Sequence, residues 1–187
     1  MKLFSIDSSM VFFVSEELTE KFGEDIVEEK ARLGDWEIDT IIGKNHVGAI
    51  VSLVDRASKY TRIHLVPSKK ADVVSEAIVN ELKDLQGKTH TLTADNGKEF
   101  ARHAEIATRL GAEIYFAKPY ASWQRGLNEH TNGLVRQYFP KKTRFDKITQ
   151  QDVKKVEMLL NTRPRRILNF KTPAEVFYED QIKNSND

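Results

Sequence analysis

Apolar and β-branched positions come in short runs through the first half of the chain. GDWEIDTIIG (34–43) reads as a strand that ends in a glycine turn. GAIVSLVD (48–55) and YTRIHLVP (60–67), separated by RASK, read as two further strands of an antiparallel meander. The period then changes. In ADVVSEAIVNELKDLQ (71–86), Val74, Ala77, Ile78, Leu82 and Leu85 recur at helical spacing, and Gly87 supplies a C-terminal stop. THTLTAD (89–95) predicts a strand, EFARHAEIATRLG (99–111) a helix with a glycine end, and EIYFAKP (113–119) a strand. A helix is expected within WQRGLNEHTNGLVRQYFPKK (123–142) and another over residues 150–161. Residues 15–32 read as an acidic helix, and the polar tail from Tyr178 onward is expected to fray. Three successive strands followed by alternation with helices predict one α/β domain, a mixed five-stranded sheet flanked by helices.

Composition narrows the function classes. A chain of 187 residues, 40% apolar and 30% charged, is of ordinary globular make-up and long enough for one well-buried domain. It has no cysteine, which excludes disulfides, thiolate metal sites and cysteine nucleophiles and suits a reducing cytoplasm. No apolar run is long enough to span a bilayer. Asp7, Ser8 and Ser9 interrupt the apolar start, against a signal peptide. The net charge of +1 hides an asymmetry. Residues 1–39 hold four Lys or Arg against eleven Asp or Glu, whereas residues 118–171 hold thirteen against four. The basic half is either a solvated surface or the footprint of a polyanion.

Three acids stand out. Asp39 lies inside an otherwise apolar strand, and Asp95 closes another just before Asn96-Gly97. Glu129 is the lone acid in its helix, on a stripe with Asn132, Gly133 and Arg136; the stripe Leu127, Thr131, Leu134, Tyr138 is the one expected to pack. Singly, Asp39 also fits a solvent-facing alternation with Glu37, and Asp95 fits an Asp-Asn-Gly turn. Taken together, three carboxylates without a cysteine or a histidine cluster are oxygen ligands suited to Mg²⁺ or Mn²⁺. Paired ions of this kind serve phosphoryl chemistry.

The motifs GDWEIDTIIGK, TADNGKEF, PYASWQRGLNEHTNGLVRQYFPK and LNTRPRRILNFKTPAEVF occur in this order, with 33 residues between Asp95 and Glu129. In these the chain resembles the DDE transposases of the insertion-sequence-30 group, and more distantly retroviral-type integrases, over about residues 33–178. The resemblance implies an RNase H-like fold and two divalent ions held by Asp39, Asp95 and Glu129. It also implies cutting and joining of DNA at transposon ends, by a homo-oligomer assembled on DNA. Trp123, Gln124 and Arg125 match the loop before the last acidic helix, where contact with unpaired DNA is expected; Trp123 would serve equally as an anchor for that loop. Arg136 is expected to meet a phosphate or to form a surface salt bridge, with Asn132 keeping the neighbouring face open. Lys98 and Lys118 are phosphate-contact candidates or simply solvated. Arg163, Arg165 and Arg166, around Pro164, read as a patch contacting the DNA backbone, and Trp36 reads as core.

The chain departs from the family pattern in three places. Asp35 stands where a histidine is usual, and is expected to add negative charge near the ions; Ile38 stands where a glycine is usual. Residues 1–32 form an acidic segment in place of the family's N-terminal helix-turn-helix region, so a truncated copy is expected, with residues 179–187 as a frayed tail. Two other functions fit the same residues: a remnant that binds DNA weakly without cutting it, and a metal-dependent RNase of the same fold.

Overall fold

The computed structural model describes residues 32–117 and 126–183, with side chains to residue 179. The acidic helix expected over 15–32 lies outside the described residues, apart from Arg32. The strands are β1 (Asp35–Ile42), β2 (Ala49–Asp55), β3 (Thr61–Val66), β4 (Thr91–Ala94) and β5 (Glu113–Phe116). The helices are α1 (Ala71–Leu82), α2 (His103–Leu110), α3 (Gly126–Tyr138), α4 (Gln150–Asn161) and α5 (Pro173–Lys183). The sheet order is β3-β2-β1-β4-β5; β1, β2 and β3 pair antiparallel, and β4 and β5 join parallel. This is the mixed five-stranded sheet the sequence predicts.

Alternation along the strands divides the core between two faces. Trp36, Ile38, Val51 and Leu53 point to one face, where they pack with Ile78 and Leu82 of α1, Ile106 and Leu110 of α2, and Phe177 of α5. Ile41, Ile50 and Ile63 point to the other and pack with Leu134 and Val135 of α3 and with Val153, Val156 and Leu160 of α4. Trp36 is core, as expected, with no exposed surface.

α4 lies along the outer edge of β3. The alternate N–H groups of Thr61, Ile63 and Leu65 donate to Asn161 Oδ1 at 2.8 Å, Glu157 Oε2 at 2.7 Å and Gln150 Oε1 at 2.8 Å. Side chains of one helix thus satisfy an edge that would otherwise be open to another strand. Burial pushes the Glu157 carboxyl above its ordinary range, although Lys154 Nζ stands 2.8 Å away.

Three expectations need correction. The segment expected to fray is helical as far as Lys183, because Thr172 and Glu175 close a reciprocal cap and Phe177 is buried against Trp36 and Tyr60. The buried stripe of α3 is Asn128, Thr131, Leu134 and Val135, and Tyr138 is exposed. The helix is rotated so that a polar residue, Asn128, meets the sheet. Asp35 sits four residues before Asp39, roughly 13 Å along the strand. It is held there by Arg32 Nη2 at 2.7 Å and Thr91 Oγ1 at 2.8 Å, so it adds no charge beside Asp39.

Candidate active site

β1 and β4 run side by side in parallel, with Asp35 opposite Thr91, Trp36 opposite Leu92 and Glu37 opposite Thr93. Continued two residues further, the same register would set Asp39 opposite Asp95, the residue that follows β4. Parallel neighbours lie about 4.8 Å apart in the sheet, so Asp39 and Asp95 lie towards the same end of adjacent strands. Asp95 turns the chain there. Its Oδ1 accepts the Gly97 N–H at 2.9 Å, and a Cβ at Gly97 would lie 2.7 Å from both Asp95 Oδ1 and Glu99 Oε2. Any larger residue there would push one of the two carboxylates aside. Glu99 also accepts from Thr40 Oγ1 at 3.0 Å and stands 3.7 Å from Lys69 Nζ, so a fourth acid, which the sequence reading passed over, lines this corner.

α3 brings the third acid. Asn132 donates Nδ2 to Asp39 Oδ2 at 2.9 Å and accepts from Ser52 Oγ at 3.0 Å. Glu129 lies one turn earlier on the same side of the helix and is exposed. Asp39 Oδ1 accepts the Thr40 N–H at 2.7 Å. Asn132, expected on an open DNA-facing side, is therefore a partner of Asp39.

The first turn of α3 is held by Glu37, which a solvent-facing alternation of β1 would have left exposed. Glu37 is buried, not exposed, because α3 covers this face of β1. Its Oε1 accepts from Arg56 Nε at 3.0 Å and its Oε2 from the Asn128 N–H at 3.1 Å, while Asn128 Nδ2 donates to the Ile38 carbonyl at 3.2 Å.

Arg136 makes contacts within the domain that neither expectation included. Its Nη2 donates to the Ile42 carbonyl at 2.7 Å, its guanidinium lies 5.7 Å from the centre of the Phe145 ring, and burial lowers its pKa. It ties the end of α3 to the end of β1. Lys98 is exposed in the turn Lys98–Phe100, close in sequence to Asp95. Arg163 and Arg166 are exposed, whereas Arg165 is half-buried and donates to the Leu160 carbonyl at 3.1 Å. Ile167 and Phe170 follow them, 75% and 74% exposed, with Asn169 and Phe170 in left-handed conformation. Lys118, Trp123, Gln124 and Arg125 lie outside the described residues.

The donor set fits a hard divalent cation, since all the ligand candidates are carboxylate oxygens. Among the described residues, no three His, Cys, Asp or Glu side chains stand close enough together to hold an ion. No described helix is long and apolar enough to cross a membrane.

Sheet order and flanking helices define an RNase H-like α/β core. The sequence profile of the integrase core domain matches residues 29–122, and the chain belongs to that family. It is 51% identical over 162 residues to the transposase for insertion sequence element IS4351 of Bacteroides fragilis, covering 87% of this chain and 49% of that one. It is 42% identical over 151 residues to the transposase InsI for insertion sequence element IS30A of Escherichia coli K12, covering 80% of this chain and 39% of the relative. The chain thus spans half or less of the length of these relatives. In structure it is similar to the catalytic core domain of BIV integrase, with a TM-score of 0.61 at 21% identity over 81% of this chain and 98% of that one.

Proposed function

We propose that this chain is the catalytic core of a DNA transposase, a polynucleotidyl transferase that cuts phosphodiester bonds at transposon ends and joins the freed ends to target DNA. The observation that carries the reading is the meeting of three elements. The parallel pairing of β1 with β4, continued two residues past Glu37 and Thr93, would set Asp39 opposite Asp95. The Asn132 bond to Asp39 ties α3, which carries Glu129, to the same strand; both support the reading. Asp39, Asp95 and Glu129 would hold two Mg²⁺ or Mn²⁺ ions. Such ions, when bound, activate the attacking oxygen and stabilise the leaving one. The protein's own groups orient these ligands: Asn132 and the Thr40 N–H hold Asp39, and the Gly97 N–H holds Asp95. Water attacks the phosphodiester first, and the freed 3′-hydroxyl then attacks target DNA without a covalent protein–DNA intermediate. Lys98, Arg163 and Arg166 are the exposed cations that grip phosphates, with Lys118, Trp123, Gln124 and Arg125 assigned to the DNA from sequence alone. A homo-oligomer on DNA is the working form.

Strand nicking of plasmid DNA by the purified chain tests the reading. Wild type should nick weakly in Mg²⁺ or Mn²⁺, and Glu129→Gln should remove nicking while leaving the fold and DNA affinity intact, because glutamine keeps the size but not the charge a hard cation needs. Nicking that survives chelation or this substitution refutes it. A chain that binds DNA without cutting it is the second reading, favoured by the absence of a three-acid cluster among the described residues. An inert wild type that still binds DNA would establish that one.

A further inference from the structure

Three consecutive residues of β1 hold α3. Glu37 accepts the backbone N–H of Asn128, the Ile38 carbonyl accepts the Asn128 side chain, and Asp39 accepts the Asn132 side chain. The first two contacts converge on Asn128, itself 1% exposed, and the next residue in the helix is Glu129. Without them the first polar tie between α3 and β1 would be the Asn132 contact, one turn further on. The first turn would be freer to move while Leu134, Val135 and Arg136 still hold the rest of the helix.

We propose that Glu37, with Arg56 behind it, is a positioning residue: it fixes the first turn of α3 against β1 and so sets where the Glu129 carboxylate stands relative to Asp39. This rests on the reading of Glu129 as a metal ligand. Asn128 is the third residue of α3, so its N–H is one of the four that no helical carbonyl reaches. A carboxylate is the acceptor best matched to it, since a helix N-terminus attracts negative charge. Glu37 is 1% exposed, and a bare charge so deep would be very costly, which the Arg56 guanidinium 3.0 Å away offsets. Each oxygen of Glu37 therefore has its own task, Oε1 for Arg56 and Oε2 for the helix. An amide puts an oxygen at only one of these two positions and a donor NH₂ at the other, so it cannot serve both donors where they stand.

That asymmetry supplies the test, made on the full chain. Glu37→Gln denies one of the two groups, Arg56 Nε or the Asn128 N–H, its acceptor on residue 37, and should weaken Mn²⁺ binding measured by calorimetry. Adding Arg56→Met frees the single glutamine oxygen for Asn128 and should restore binding close to wild type. Glu37→Met with Arg56→Met keeps side-chain volume, removes the buried charges together and should fold, yet has no acceptor for Asn128. Its Mn²⁺ affinity should fall about 10–100-fold, as when the supports of metal ligands are removed, with faster amide hydrogen exchange over residues 126–130. Rescue by glutamine but not by methionine is a result that mere filling of the core would not give. Equal Mn²⁺ affinity in the two double variants, or unchanged exchange in the Met/Met variant, overturns the proposal. If Glu129→Gln binds Mn²⁺ as tightly as wild type, the metal-ligand reading fails instead, and the exchange comparison still decides whether Glu37 holds the helix.

Discussion

The two faces of the sheet are joined to their helices by different forces. Among the described residues, nineteen buried apolar residues form one cluster under α1, α2 and α5, with Trp36, Ile78, Leu82 and Phe177 among them. Under α3 and α4 the cluster is ten residues, and the helices are also pinned by polar side chains: Asn128, Asn132 and Arg136 on α3, and Gln150, Glu157 and Asn161 on α4. Apolar burial is strong but non-directional, so it stabilises a helix without fixing its position closely. Hydrogen bonds contribute less each, yet they specify distance and angle. Polar ties occur on the first face too, where Arg62 and His64 of β3 meet Glu81 of α1. Its larger apolar cluster nevertheless gives it the greater share of stability, and the proposed ligand Glu129 rides on the second face.

Substitutions can break this contrast, and the largest effect should come from the apolar face. Trp36→Ala should cost about 3–5 kcal/mol, a large part of the stability of a domain this size. Urea unfolding would show it; a loss below about 1 kcal/mol would mean that the first face is not the stabilising one. Asn161→Ala removes both partners of Thr61, whose N–H and carbonyl it meets at 2.8 and 2.7 Å. It should cost about 1–3 kcal/mol and raise amide exchange in β3 more than in β1. Uniform exchange would mean that α4 acts by apolar contact alone. Smallest in stability, and most telling for function, is Arg163→Ala with Arg166→Ala. Both side chains are exposed, so unfolding should shift by less than about 0.5 kcal/mol. The logarithmic salt dependence of DNA binding should nevertheless become shallower by about one unit for each phosphate no longer neutralised. An unchanged slope would take these arginines out of the DNA interface.

The first face was open to reading from sequence because its signal is local. Val74, Ala77, Ile78 and Leu82 mark α1 by spacing alone, and the β-branched runs mark β2 and β3. On the second face the three acids could be named, but their supports could not. Glu37 meets Arg56 nineteen residues on and Asn128 ninety-one residues on, and no periodicity reports a hydrogen bond of that span. Alternation placed Glu37 on the side of Asp39, which is right; that α3 covers this side is a tertiary fact. The rotation of α3 was missed for the same reason, since Asn128 looks like a surface residue until its partners are known. α5 is different, because its signal was local and available. Thr172-Pro173-Ala174-Glu175 is a capping box with proline at the first helical position.

The α4 seal on β3 also has a consequence for synthesis. Thr61 precedes its partner Asn161 by 100 residues. At the usual pace of about 5–20 residues per second, the strand emerges from the ribosome roughly 5–20 seconds before the residue that covers its end. During that interval the nascent chain carries an unsealed row of donors, able to pair with a neighbouring chain on the same messenger. Slowing translation between residues 67 and 149 should lengthen the exposure and increase aggregation, while leaving the stability of the finished protein untouched.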